Sequence, residues 1–415
     1  DYMYSYPHKT AYRPFPAPVS LLPYLEQLQG RKASLYFHIP FCSHKCGYCN
    51  LFSLQTNRTE YIATYLDTLH RQAQQLSPLT AGLTFDSFAI GGGTPLLLTV
   101  PQLEQLMATA ALFGVHPSHA FTSVETSPEY ADRPRLNVLK KAGVSRVSIG
   151  IQSFQDEELK AIKRRPRQNT IYQALDDIRQ MDFPYFNIDL IYGIKGQTVE
   201  SFLYSLEEAL RFQPNELFIY PLYVRQGTGI TEREPDDVCF RMYRAACKLL
   251  QAKGFLQTSM RRFIHHPSTD AEVSCGDEVM LSCGSGGRSY LGDLHYATRY
   301  TVCQQCIARE IDEYMATTDF TVARNGFILS AKEQQQRFII KNLMYYMGID
   351  KAEYTRRFGE PLDRTPLFRQ LAEQYWIEET PERIRLTPEG LGYSDYIGQL
   401  FITPEIRQLM ETYSY

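Results

Sequence analysis

The chain has 415 residues, with 43 Lys and Arg against 46 Asp and Glu, a formal net charge of −3 and 44% hydrophobic residues. At about 100–200 residues per domain, this length makes two or three domains, or one large α/β barrel with a smaller appendage. The near-neutral balance leaves no electrostatic footprint for DNA or RNA, and no stretch approaches the roughly 18 consecutive apolar residues of a membrane-spanning helix, so both kinds of partner fall down the list.

The first residues, Asp1-Tyr2-Met3-Tyr4-Ser5-Tyr6-Pro7-His8-Lys9, place aromatics and a proline where a signal peptide would need a continuous apolar core, which predicts a cytoplasmic protein. Residues 1–33, with five prolines, predict an extended arm packed on a barrel. From Ser34 onward short apolar runs at 34–39, 85–90, 120–125, 146–151, 186–192 and 216–222 read as buried strands. Amphipathic segments at 60–76, 101–113, 134–142, 171–181 and 199–212 read as the helices between them. Such alternation is the mark of βα units around a parallel sheet. Six units predict an α/β fold with a partial (β/α)6 TIM-like barrel over 34–300, open on one side, with chemistry at the C-terminal ends of its strands. Residues 301–415 predict a small, mostly helical, winged-helix-like domain with a β element. Nine cysteines, odd in number and scattered, argue for reduced thiols over a disulfide framework.

Three of these thiols, Cys42, Cys46 and Cys49, fall within eight residues directly after the first strand. A structural zinc site closes with four ligands, commonly as two C-x₂-C knuckles, whereas C-x₃-C-x₂-C offers three. Three thiolates on a cubane cluster leave one iron open to a cofactor. Downstream, Gly91-Gly92-Gly93-Thr94 follows a strand, where missing Cβ atoms let backbone amides approach a ligand. Glu125 and Asp189 put carboxylates on two strands. Either they pair with Arg146 or Arg164 as a structural network, or they bind a polar ligand at the barrel's active end. Gln152 ends another strand, and Arg164 lies twelve residues later.

The cysteine loop resembles the signature of radical S-adenosylmethionine (SAM) enzymes. Tyr36-Phe37-His38-Ile39-Pro40-Phe41-Cys42 resembles their oxygen-independent coproporphyrinogen III oxidase and heme chaperone (HemN/HemW-like) branch. Gly193-Ile194-Lys195-Gly196-Gln197-Thr198, Cys283–Tyr290 and Leu386–Gly390 resemble further motifs of that branch. The resemblance implies a [4Fe–4S] cluster on Cys42, Cys46 and Cys49, and one SAM molecule or two. Reductive cleavage of SAM would then give a 5′-deoxyadenosyl radical that abstracts hydrogen. It further implies SAM contacts from Gly92, Gly93, Thr94, Glu125, Gln152, Arg164 and Asp189, with Tyr36 and Tyr48 beside the cluster. A small-molecule substrate, a low-potential flavodoxin or ferredoxin as electron donor, and a monomer are expected. Lys163-Arg164-Arg165-Pro166 departs from the branch around its arginine, and Asn50-Leu51-Phe52 lacks the oxidase's additional cysteine. The latter, with Tyr6–Pro14, resembles a bacterial STM-operon subfamily and leaves oxidative decarboxylation, methyl transfer and tailoring of another metabolite open.

The alternative is a heme-binding chaperone with a regulatory cluster and no turnover, for which His38 or His265-His266 would be the heme ligand; a zinc-dependent binding module is a distant third. Cys303 and Cys306 could be half of a second metal site but have no partner knuckle. Cys239 and Cys247, eight apart on one helical segment, read as core, and His44 reads as a solvated loop histidine.

Overall fold

The structure is a computed structural model that describes residues 5–116, 119–165, 167–225, 227–265, 279–362 and 366–414. Thirteen strands make the main sheet: β1 (Arg13–Ser20), β2 (Lys32–Ile39), β3 (Thr84–Gly92), β4 (Phe121–Thr126), β5 (Arg146–Gln152), β6 (Tyr185–Tyr192), β7 (Glu216–Pro221), β8 (Phe255–Gln257), β9 (Arg262–His265), β10 (Met280–Cys283), β11 (Arg288–Leu291), β12 (Leu294–Ala297) and β13 (Val322–Ile328). Their spatial order is β1-β13-β12-β11-β10-β2-β3-β4-β5-β6-β7-β9-β8.

The six predicted strands are β2 to β7, consecutive and parallel. A strand unmarked by the βα pattern, β10, adds a seventh parallel member beside β2, and antiparallel strands extend both ends. The predicted helices form as Thr59–Leu76, Val100–Ala111, Arg133–Ala142, Gln168–Met181 and Val199–Leu210. Local chemistry sets their ends. Thr99 and Gln102 form a reciprocal capping box before Val100, while Asp132 caps the helix that Gly143 ends in the left-handed conformation.

Period-two alternation sorts the barrel side chains. Leu35, Phe37 and Ile39 of β2 are fully buried, whereas Tyr36 and His38 turn to a central cavity. In β6, Ile188 and Leu190 are buried while Asn187 and Asp189 face the cavity.

A second core holds a three-stranded sheet (Ile349–Asp350, Arg383–Leu386, Ile377–Glu379) and helices including Lys351–Phe358, Pro366–Glu373 and Pro404–Glu411. The expectation that the N-terminal arm lies on the barrel needs correction, because its residues divide between both cores. Leu21, Leu25 and Leu28 join the barrel core, whereas Tyr6 and Ala11 are buried in the second, where the Tyr6 hydroxyl donates to Glu333. The antiparallel pairing of β1 with β13 then fixes the intervening chain. No helix among the described residues is long and apolar enough to cross a membrane.

Candidate functional site

The cysteine loop leaves β2 at Pro40 and is closed at its neck by a short parallel pairing of Phe41–Cys42 with Leu54–Gln55. Leu54 N–H donates to the Pro40 carbonyl (2.7 Å) and Thr56 N–H to that of Cys42 (2.9 Å). Cys42 is buried, Cys46 and Cys49 are half-buried, and all three thiols are free and line one cavity of about 900 Å³ at the strands' C-terminal ends. Burial pushes the Cys42 thiol up to about 11 and raises that of Cys49, so thiolates here require a compensating cation.

Three neighbouring thiols that line one cavity fit a cubane, in which each thiolate meets a different iron, whereas a structural zinc site closes with four ligands.

Backbone closeness explains the glycine turn. Gly93 N–H donates to the Ile39 carbonyl (2.8 Å) and Thr94 N–H to that of Phe41 (2.7 Å). A Cβ on Gly93 would meet Phe41 O and lie 2.8 Å from Cys42 Sγ, and Gly92 has φ +121°. Gly92 and Gly93 thus seat the cysteine loop on β3, a packing role that motif reading alone assigned only to ligand approach. The Thr94 hydroxyl donates to Cys42 Sγ (3.6 Å).

On the far wall, Glu125 opens onto the cavity but is otherwise enclosed by protein, and its Oε2 accepts from Gly92 N–H (3.3 Å). Burial raises its pKa. Burial likewise pushes Asp189 up to about 7, opposed by the Asn187 amide that donates to its Oδ1 (2.8 Å) and assisted by Glu125. The structural-network reading paired these carboxylates with Arg146 or Arg164. Instead Arg146 pairs with Glu216 (3.1 Å) and with the Ser123 hydroxyl. Gln152 lines the cavity at a kink, with φ +71° where β5 breaks register with β6. Arg164 Nη1 donates to Cys46 Sγ (3.5 Å) and to the Tyr48 hydroxyl (3.2 Å), and Nη2 donates to the Gly150 carbonyl, so this arginine braces the cysteine loop. Arg164 Nε and Asn187 Oδ1 are buried without a hydrogen-bond partner, polar atoms that suit a polar ligand in the cavity.

Tyr36 belongs to a relay that spacing did not reveal. The Phe52 carbonyl can only accept, so His38 Nε2 donates to it (2.9 Å), and Nδ1 accepts from the Tyr36 hydroxyl (3.0 Å). Burial lowers His38 to about 4 and keeps it neutral. With both nitrogens engaged, His38 fastens the end of the cysteine loop. His44, expected to be solvated, is half-buried and donates from Nε2 to the Lys163 carbonyl (2.8 Å). His265 lies on β9 against Phe255, outside the cavity lining. His266 and Cys275 lie outside the described residues. Cys239 and Cys247 sit on the helix Asp236–Ala252, Cys239 being buried in the core.

Two family models match the chain: the radical SAM superfamily over residues 36–209 and the HemN C-terminal domain over residues 329–392. The oxygen-independent coproporphyrinogen III oxidase of Salmonella typhimurium is 31% identical over 394 residues, covering 87% of this chain and 83% of that protein. The chain belongs to the radical SAM superfamily, in its coproporphyrinogen oxidase and heme chaperone branch. The heme chaperone HemW of Bacillus subtilis is 27% identical over 386 residues, covering 88% of this chain and all of the relative. The solved coproporphyrinogen III oxidase (HemN) of Escherichia coli shares the fold, with a TM-score of 0.81 over 97% of both chains at 23% identity. As a radical SAM protein, the chain takes a [4Fe–4S] cluster and SAM as cofactors.

Beyond the cofactor residues, the cavity runs on between barrel and C-terminal domain, where Arg225, Arg288, Arg337 and Lys341 line it. These cations lie up to about 300 residues from the cysteine loop in sequence, so no local motif announced them.

Proposed function

We propose that the chain is a radical SAM enzyme that acts at a C–H bond of a polycarboxylate, tetrapyrrole-sized substrate. Its outcome would be oxidative decarboxylation or methyl transfer. The observation that carries this reading is that the cations Arg225, Arg288, Arg337 and Lys341 line the same cavity as the cysteine loop. Arginine forks match carboxylates in pairs, and cations on one wall orient an anionic substrate with its reacting carbon toward the opposite wall.

In this reading Cys42, Cys46 and Cys49 would hold the cluster, whose chemistry when bound would be one-electron reduction of SAM. Gly92, Gly93 and Thr94 border SAM's amino group. Glu125, Gln152 and Asp189 would accept from its polar groups, and Arg164 and Tyr48 fix the loop at Cys46. Tyr36 keeps His38 in the tautomer that closes the loop. Heme delivery is disfavoured because the two histidines that line the cavity among the described residues, His38 and His44, each donate Nε2 to a backbone carbonyl.

The external electron would come from a low-potential flavodoxin or ferredoxin. Lys163, Arg165 and Arg167, exposed beside the loop, give an acidic carrier a place to approach. A monomer in the cytoplasm is the accompanying expectation.

The test offers the anaerobically reconstituted protein SAM, dithionite and coproporphyrinogen III, and assays 5′-deoxyadenosine together with decarboxylated or methylated tetrapyrrole. Product matching 5′-deoxyadenosine supports the reading. Stoichiometric heme uptake with SAM intact and no tetrapyrrole product would instead make the chain a heme chaperone.

A further inference from the structure

Cys303 and Cys306 take no part in the cavity, yet they stand against the back of the cysteine loop. They open the thirteen-residue helix Gln304–Ala316, Cys303 exposed and Cys306 half-buried, both as free thiols. The Cys303 thiol is held below its ordinary value by the Cys306 backbone amide, by the Cys306 side chain and by the Gln305 amide. Its bond to Cys303 pushes the Cys306 thiol up. Cys303, exposed at the N-cap, is the sulfur an external disulfide can reach, and Cys306, half-buried in the first turn and bonded to it, is placed to resolve a mixed disulfide. The thiols of Cys239 and Cys283, which are buried, and of half-buried Cys247 are all pushed up by desolvation.

A metal knuckle is the competing reading of C-x₂-C. It needs further ligands, and among the described residues no third His, Cys, Asp or Glu joins the pair.

The segment carrying the pair is stapled to the cysteine loop. Lys45 Nζ donates to the Val302 carbonyl (3.1 Å), Gln304 Nε2 to that of Ser53 (2.9 Å) and the Tyr300 hydroxyl to that of Asn50 (2.8 Å), while Gln304 Oε1 accepts from Gln55 N–H (2.8 Å). A change in the first turn of this helix therefore acts on Val302 and Gln304, two residues that position the loop.

We propose that Cys303 and Cys306 form a redox-active dithiol whose dithiol and disulfide states are transmitted to the cysteine loop. The oxidant class is a low-molecular-weight disulfide. The Cys303 thiolate attacks one of its sulfurs, forming a mixed disulfide and releasing one thiolate. Cys306 passes its proton to that thiolate and attacks Cys303 Sγ, releasing the second half as a thiolate. The two cysteines lose two electrons and the external disulfide gains them, leaving one thiol and one thiolate. The transmission step rests on Cys42, Cys46 and Cys49 holding the cluster, whereas the disulfide itself does not.

The experiment equilibrates the full chain, with and without reconstituted cluster, in buffers of reduced and oxidised glutathione. Samples are quenched in acid, alkylated and mapped by peptide mass spectrometry. The expected result is an internal Cys303–Cys306 disulfide in the wild type, glutathione trapped on Cys303 in Cys306→Ser, and none on Cys306 in Cys303→Ser. The cluster's visible absorption should shift with the state of the pair in the wild type but not in Cys303→Ser. Two alkylated thiols at every glutathione ratio, or glutathione on both residues without an internal disulfide, overturns the dithiol. An internal disulfide with unchanged cluster absorption overturns the transmission alone. Failure to bind a cluster at all would contradict the cofactor assignment and leave the disulfide result standing.

Discussion

Two polar layers cross this barrel a few residues apart along neighbouring strands, and they are built to opposite rules. In the deeper layer, Ser123, Arg146 and Glu216 close on one another, and Arg262 completes the set at 2.9 Å from Glu216. The ion-paired side chains are 5–11% exposed, so each buried charge has its counter-charge within the fold. Toward the C-terminal ends of the barrel strands, Glu125 and Asp189 face the cavity with their pKa values pushed up by burial, and the Arg146 charge, paired to Glu216, offsets that only in part. The contrast teaches how to read a buried charge: one whose partner is in the fold serves the fold, while one pressed toward neutrality beside an open space is placed for a ligand.

The largest effect separating the layers should come from Glu216→Ala, which leaves Arg146 and Arg262 without their counter-charge. Urea unfolding is expected to show a loss of about 3–5 kcal/mol. A loss under 1 kcal/mol would remove the structural role of the deeper layer. Gly93→Ala should come next. Its Cβ meets Phe41 O and Cys42 Sγ, so the loop must shift at a cost of about 1–3 kcal/mol, with iron and sulfide incorporation falling alongside stability. Normal stability and full cluster loading in this variant would show that the glycine is not required for that approach.

Asp189→Asn should have the smallest effect on folding and a specific effect on binding. The folded-state value of Asp189 is raised from 3.8 to about 7, so this group's contribution to stability is present at low pH and lost as pH rises through about 7. The asparagine variant should lack that decline and be no less stable at pH 8. With Asp189 ionised as an acceptor for the cofactor, SAM affinity of the wild type should rise as pH passes about 7. The variant should bind about tenfold more weakly at pH 8, about 1.4 kcal/mol, with an unchanged cluster spectrum. Calorimetric titration across pH measures this, and identical affinities in the two proteins would remove Asp189 from the cofactor site.

What was legible in the sequence was whatever is written locally. The six parallel strands follow from short apolar runs, and the cysteine loop and triple glycine follow from spacing. Pairings over long separation were not legible. Strand β10 joins β2 across about 240 residues with only four residues of its own, too few to carry a period. The arm's Tyr6 finds Glu333 and Thr403 in the second core, and Arg164 turns out to hold Cys46 because the chain folds 118 residues back on itself. The four cations come from three separate segments, Arg337 and Lys341 sharing one helix, and overall charge conceals them because acidic residues balance them elsewhere.

The central claim is that three thiols on one loop hold a cluster that cleaves SAM. Its most direct test is anaerobic reconstitution with iron and sulfide, followed by dithionite and SAM, with chromatographic assay of 5′-deoxyadenosine in the wild type and in Cys42→Ala, Cys46→Ala and Cys49→Ala. The account predicts 5′-deoxyadenosine from the wild type and background levels from each variant. Full cleavage by any one of the three, or a wild-type cluster that leaves SAM intact, would contradict it.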